Sequence, residues 1–183
     1  MQYELIRSDR RTAALEIREG KLIVRAPRRM PQAQIEAFIQ KNQAWIDARL
    51  ARARARQQAL QEIPKLTQDE IRDLARQAAR VIPARVAYFA PLVGVSYGRI
   101  TIRCQRTRWG SCSSEGNLSF NCLLMLAPPE VLDSVVVHEL CHRRQPNHSR
   151  QFYDEVLRVF PEYRRHQTWL KENGDALLAR VKN

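Results

Sequence analysis

The sequence predicts an α+β fold, and three stretches carry that expectation. Residues 1–30 alternate apolar and polar side chains as strands do. Residues 31–90 place apolar side chains at helical spacing, and a second β-prone region, 99–126, leads into a helix holding His138-Glu139-Leu140-Cys141-His142. Three of the four histidines in the 183-residue chain lie between positions 138 and 148.

Within residues 12–18, Ala13, Leu15 and Ile17 share one face, Glu19-Gly20 suits a tight turn, and residues 22–25 return as a β-branched strand; residues 3–6 add a third strand. Pro31 then opens a helix whose Ile35, Phe38, Ile39, Ala44, Trp45 and Leu50 form one apolar face, and which runs on into Ala51-Arg52-Ala53-Arg54-Ala55-Arg56. Alternate arginines on a helix point in different directions, so this run reads as a solvated helix end joining two lobes in preference to a phosphate-binding stripe. Pro64 ends the segment. Thr67-Gln68-Asp69-Glu70 is a capping box, Leu66 can staple onto Ile71, and Leu74, Ala75, Ala78 and Ile82 form the buried face of the next helix. Pro83 should kink or restart that helix, while Val86 and Phe89 carry the apolar pattern on toward Pro91.

Ile100 and Ile102 share a face of a strand over 99–104, and 118–126 is a second β-prone run. Between them, Trp109, two glycines and three serines mark residues 105–116 as a structured loop. A strand just ahead of the histidine helix is a place where an extended peptide can pair through its backbone. Arg106 and Arg108 are candidates to hold a substrate carboxylate or phosphate, against the plainer reading as surface arginines.

Pro128-Pro129-Glu130 suits the first turn of the histidine helix, and Val131, Leu132, Val135, Val136 and Leu140 make it mostly apolar, hence buried. Residues four apart turn through about 400°, so His138 and His142 leave one face, with Glu139 about 100° round from His138. In a chain with four His and twelve Glu, a chance His-Glu-x-x-His is expected about 0.5% of the time, so accident is a poor explanation. On a buried helix the three polar groups need a partner, and the spacing is that of the zinc hydrolases in which two histidines hold the ion and the glutamate works on water.

Gln145-Pro146-Asn147 stops the helix and His148 follows in the turn. Asn147 or Ser149 can cap a further helix striped with Phe152, Val156, Val159 and Phe160, which Pro161 ends. Residues 162–183 hold Tyr163, Trp169, Leu170, Leu177 and Leu178, enough to dock on the body, and His166 reads as a surface residue. A catalytic zinc takes three protein ligands and leaves one position open. His148, ten residues after His138, has the spacing of a third ligand, and Glu155 or Glu162 is the rival. Metzincins keep a glycine where this chain has Gln145, so membership of that group is not indicated.

Composition bounds the rest. The chain is long enough for a real core and reads as a single domain, with a β-rich part over 1–30, a connecting helix over 31–63 and a catalytic part over 64–183. Residues 1–10 include Glu4 and Asp9 and no apolar signal region, and no run approaches a membrane span. Cys104, Cys112, Cys122 and Cys141 show no CxxC spacing. The expectation is a cytoplasmic protein with reduced thiols and no membrane contact, a cysteine-based zinc site being the lesser reading. A net charge of +12 fits an anionic partner such as nucleic acid, or simply an arginine-rich surface.

Arg108-Trp109-Gly110-Ser111-Cys112, His138-Glu139-Leu140-Cys141-His142 and Asn147-His148-Ser149 together resemble the YgjP-like metal-dependent hydrolases, relatives of the SprT and WLM metallopeptidases. The resemblance implies a zincin-like α+β domain with a small sheet and an HExxH active-site helix, one Zn2+ on His138, His142 and His148, and Glu139 as general base and acid. Arg143-Arg144-Gln145 departs from the more apolar continuation, or further histidine, expected there and makes the rim more basic. The implied activity is peptide-bond cleavage. A nucleoside triphosphate pyrophosphatase of UTP type, with Arg106, Arg108, Arg143 and Arg144 on the phosphates, is the second reading, and a nucleic-acid-associated protease of SprT type the third. The expected substrates are accordingly a peptide or protein, or a nucleotide.

Overall fold

A computed structural model of the chain describes residues 2–18 and 20–181. It divides into two compact units, residues 1–62 and 63–183.

The first unit is a three-stranded sheet with helices α1 and α2. Strands β1 (Tyr3–Ser8), β2 (Ala14–Arg18) and β3 (Lys21–Pro27) lie in the order β1-β3-β2, β1 parallel and β2 antiparallel to the central strand. Gly20 takes φ 75°, the left-handed backbone that suits glycine at the expected turn; its neighbour Glu19 lies outside the described residues. Leu22, Val24 and Ala26 of β3 pack with Ile35, Ile39 and Ile46 into this unit's own core. The expected single helix over 31–63 is two: α1 (Gln32–Lys41) and α2 (Gln43–Glu62), parted at Asn42, whose side-chain amide donates to Phe38 O at 2.7 Å. Trp45, expected on the apolar face, is 43% exposed, with the Arg49 guanidinium 5.6 Å over its ring. The arginine run sits on a largely exposed stretch of α2, but in the middle of the helix and not at the expected helix end.

The second unit carries the site. Helix α3 (Gln68–Val93) starts at the capping box: Glu70 N–H donates to Thr67 Oγ1 at 3.2 Å, and Thr67 N–H to the Glu70 carboxylate at 2.8 Å. Pro83 neither restarts the helix nor ends it, and α3 continues through Pro91 to a left-handed cap at Gly94. Ile82, Val86, Phe89, Ala90 and Val93 are all buried along that stretch. Their packing outweighs the roughly 3 kcal/mol that a helical proline costs. Strands β4 (Ile100–Arg103), β5 (Gly110–Cys112) and β6 (Leu118–Asn121) form a sheet in the order β4-β6-β5, β4 parallel and β5 antiparallel to β6. The expected strand over 118–126 is cut short at Asn121, whose side chain accepts from Leu123 N–H and starts a 3₁₀ turn, Cys122–Leu126. Its amide also donates to Gln105 O (2.6 Å) and Arg108 O (3.0 Å), so one residue pins both ends of the loop before β5.

Helix α4 (Pro129–Cys141) lies against α3 and runs through the middle of the core, with ten of its thirteen residues buried. Asp133 accepts from Arg85 Nε and Nη2 at 2.7 Å each, a bidentate pair that fixes α4 in register on α3. Helices α5 (Arg150–Val159) and α6 (Tyr163–Ala179) close over α4. Ser149 supplies the α5 cap, accepting from Phe152 N–H. Among the described residues no helix is long and apolar enough to cross a membrane, and all four cysteines are free thiols.

Candidate metal centre

Because α4 is buried on nearly all sides, the helix end that carries the histidines is fixed by packing before any ligand binds. His138 leaves its last full turn, His142 is its C-cap, and His148 returns from the following turn. Their Nε2 atoms converge: His142 and His148 stand 3.2 and 3.0 Å from His138, and all three ligand atoms lie within 4.8 Å of one another. Ligands of a tetrahedral zinc at about 2.0–2.1 Å would stand about 3.3–3.4 Å apart, so this donor set fits the ion. Among the described residues this is the one such group of His, Cys, Asp or Glu. The rival carboxylates stand elsewhere in ion pairs, Glu155 with Arg158 (3.0 Å) and Arg144 (3.6 Å), and Glu162 with Arg165 (3.8 Å).

Phe152 holds the cluster from beneath. Its fully buried ring lies 4.9 Å from that of His138, 4.6 Å from His142 and 4.9 Å from His148, centroid to centroid. Burial, and then the neighbouring His142 and His148, pull His138 down to about 3; burial also lowers His142. Both rings are therefore neutral at pH 7, the state in which an imidazole binds metal.

Behind the ligands, His138 Nδ1 is 2.7 Å from the Tyr163 hydroxyl, which also accepts from Gln167 Nε2 at 3.2 Å. His142 Nδ1 is 3.2 Å from Gln145 O. If Nδ1 carries the ring proton and donates backward, Nε2 keeps its lone pair for a metal. Tyr163→Phe should lower zinc affinity about 10–100-fold with the fold intact, measured by competition with a chromogenic chelator; unchanged affinity would deny the tyrosine this role.

Glu139 is 5% exposed, and among the described residues its carboxylate accepts no hydrogen bond. Burial pushes it up to about 8, against a smaller opposing pull from Arg108. It faces a cavity of about 650 Å³ lined also by Trp109, Val135, His138, Tyr163 and Leu170. Gly110 explains why β5 can lie so close: a Cβ there would meet Glu139 Oε1 at 2.6 Å and Cγ at 2.7 Å. Gly110→Ala should therefore retain zinc and lower kcat by about 100-fold through displacement of the carboxylate. A change in KM alone would show that the carboxylate had not moved. Gly174, in the middle of α6, plays a similar part: a Cβ there would lie 3.2 Å from Trp109 Cζ2, and its absence lets α6 seat that ring.

The structure thus brings His138, Glu139, His142 and His148 together. Arg108 is exposed, and its charge reaches Glu139. Arg106 is exposed, and among the described residues no contact joins it to the cluster. Arg143 donates to Ser96 O and Ser114 O, and Arg144 to Val93 O at the end of α3, so both bind backbone carbonyls. The sequence did not point to the roles of Tyr163, Phe152, Gly110 and Gln167 at the site, although it places Phe152 and Tyr163 in the core and Gly110 in the motif around Trp109. One signal was available for Tyr163: a buried tyrosine hydroxyl needs a partner, and the histidine cluster is the main polar feature of the core.

No curated protein matches the chain. Among solved structures it is similar to the metallopeptidase zymogen of Pyrococcus abyssi abylysin (19% identity over 50% of this chain and 94% of that one, TM-score 0.46). It is also similar to the metallopeptidase zymogen of Methanocaldococcus jannaschii jannalysin (20% identity, 51% and 97%, TM-score 0.46). The family described as YgjP-like, metallopeptidase domain, matches residues 11–73 and 61–173, which leaves only the ten residues at either end outside. Across that span the chain belongs to the YgjP-like metallopeptidase domain family, which makes it a zinc metallohydrolase.

Proposed function

We propose that the protein is a metallopeptidase that cleaves peptide bonds, with one zinc held by His138, His142 and His148 and with Glu139 as general base and then general acid. The reading rests above all on Glu139. A buried carboxylate that accepts no hydrogen bond among the described residues, next to three converging imidazoles and open to a substrate-sized cavity, has little structural use.

When bound, the zinc supplies Lewis-acid chemistry, acidifying a water toward a pKa of about 7 and polarising the scissile carbonyl. The chain's residues do the rest. A nearby divalent cation favours the ionised form of Glu139, reversing the effect of burial. A carboxylate oxygen takes the proton from the water as it adds to the carbonyl carbon, and returns it to the amine nitrogen as the C–N bond breaks. Tyr163 keeps the His138 ring oriented, and Gly110 leaves room for the carboxylate. Among the described residues strand β5 pairs with β6 alone, and its other edge offers backbone groups to an extended peptide.

The test is metal analysis of purified protein followed by two assays, fragmentation of an unfolded protein and release of pyrophosphate from UTP. One zinc per chain with fragmentation is expected. Pyrophosphate release without fragmentation would favour the nucleotide reading, for which Arg106 and Arg108 remain after Arg143 and Arg144 are committed to carbonyls. Nucleic-acid association rests on the +12 charge, and a steep fall of DNA or RNA binding with salt would support it.

A further inference from the structure

The cavity beside Glu139 has a chemical asymmetry. Its apolar lining is Trp109, Val135 and Leu170, and α6 also contributes the polar Gln167, Thr168 and Lys171. Most of its polar side chains are committed. Ser134 Oγ donates to Val131 O at 2.7 Å, Thr168 Oγ1 to Arg164 O at 3.0 Å, and Gln167 Nε2 to the Tyr163 hydroxyl at 3.2 Å. The Trp109 indole lies along α6 at Gly174. Lys171 is different: among the described residues its ammonium has no ion-pair or hydrogen-bond partner, and it does not pair with Glu139, the only acid lining the cavity. Arg108 adds a second positive charge close enough to act on Glu139.

We propose that Lys171 is a specificity-determining residue that binds a substrate carboxylate carried on an aliphatic stem inside this cavity, next to the bond that is cut. The inference rests on the peptidase reading above and narrows its substrate class. With Glu139 occupied at the reacting centre, Lys171 leaves the rest of the cavity with one uncompensated positive charge. An anion at the end of an apolar stem satisfies both kinds of lining: the methylenes lie on Trp109 and Leu170, and the carboxylate meets the ammonium. A glutamate side chain and the free carboxylate of a peptide C-terminus share this chemistry.

The experiment compares matched peptides that differ only as Glu against Gln near the scissile bond, each with a free and an amidated C-terminus, on zinc-loaded protein. The wild type should favour the carboxylate-bearing member about 10-fold or more in kcat/KM, as a charge-assisted hydrogen bond permits. Lys171→Met should abolish that preference without slowing cleavage of the neutral peptide, and Lys171→Glu should turn it toward Lys or Arg. A preference that follows the side chain identifies glutamate as the anion, and one lost on amidation identifies the chain end. Equal rates for charged and neutral peptides, or a preference unmoved by Lys171→Glu, would overturn the proposal while leaving the peptidase reading intact. Should no peptide be cut, the peptidase reading fails, and calorimetry of the same peptides on zinc-loaded Glu139→Gln protein decides the inference separately. Carboxylate-dependent binding lost in the Lys171→Met, Glu139→Gln double variant supports it, and its absence overturns it.

Discussion

Glu139→Gln is expected to keep its zinc and lose about 10²–10⁴-fold in kcat, the usual contribution of a positioned general base. The glutamine amide has the size of the carboxyl and can neither take nor return the proton, while the three imidazoles are untouched. Measured by zinc stoichiometry and peptide turnover together, full activity in this variant would remove Glu139 from the mechanism. A second readout separates chemistry from packing. In metal-free protein the carboxyl is pushed up from 4.5 to about 8, chiefly by burial. Between those values the folded state holds a proton that the unfolded state has released. Stability from this group is therefore full below pH 4.5 and is lost as pH rises toward 8. Metal-free Glu139→Gln should then melt above metal-free wild type at pH 8–9, by at least about 2 °C for each kcal/mol relieved, and the difference should vanish near pH 4. The buried histidines act in the opposite direction. His138, lowered from 6.5 to about 3 by burial and its histidine neighbours, costs the metal-free fold stability as pH falls through that window.

His148→Ala should weaken zinc binding as much as His142→Ala does, by more than the 10–100-fold that loss of a partner behind a ligand costs, and should abolish turnover. His148 is the one exposed member of the triad and sits outside the helix, so its substitution disturbs the core less than that of its partners. The ring rests on Phe152 at 4.9 Å and Tyr153 at 6.3 Å, contacts that an alanine gives up without leaving a closed cavity. Equilibrium dialysis against a zinc buffer measures the effect. An unchanged stoichiometry and affinity would return the third position to a carboxylate, although Glu155 and Glu162 would first have to leave their arginines.

The parts of the site that were legible in the sequence share one property, that a local repeat decides them. His138, Glu139 and His142 are placed by the helical period, the α3 start by a capping box four residues long, and the β2–β3 turn by Gly20. Where the reading went astray, a distant partner had overridden a local preference. Pro83 could have restarted the helix, and buried neighbours carry α3 on without a restart to Val93. The run over 118–126 has the composition of a strand, yet Asn121 turns it into a 3₁₀ helix because its side chain also serves the loop at Gln105 and Arg108. Arg143 and Arg144 look like phosphate ligands in one dimension, and in three they reach carbonyls about fifty residues away in chain order.

The amino-acid sequence by itself determined the α+β class, the histidine helix and the spacing that points to a metal, because periodicity and ligand spacing are properties of contiguous residues. Tertiary structure alone decided what surrounds that helix. Tyr163 behind His138, Gly110 against Glu139, Phe152 under the three rings and Lys171 in the cavity lining come from three other segments. No local pattern can bring them together, since it is the packing of α5, α6 and β5 on α4 that does so.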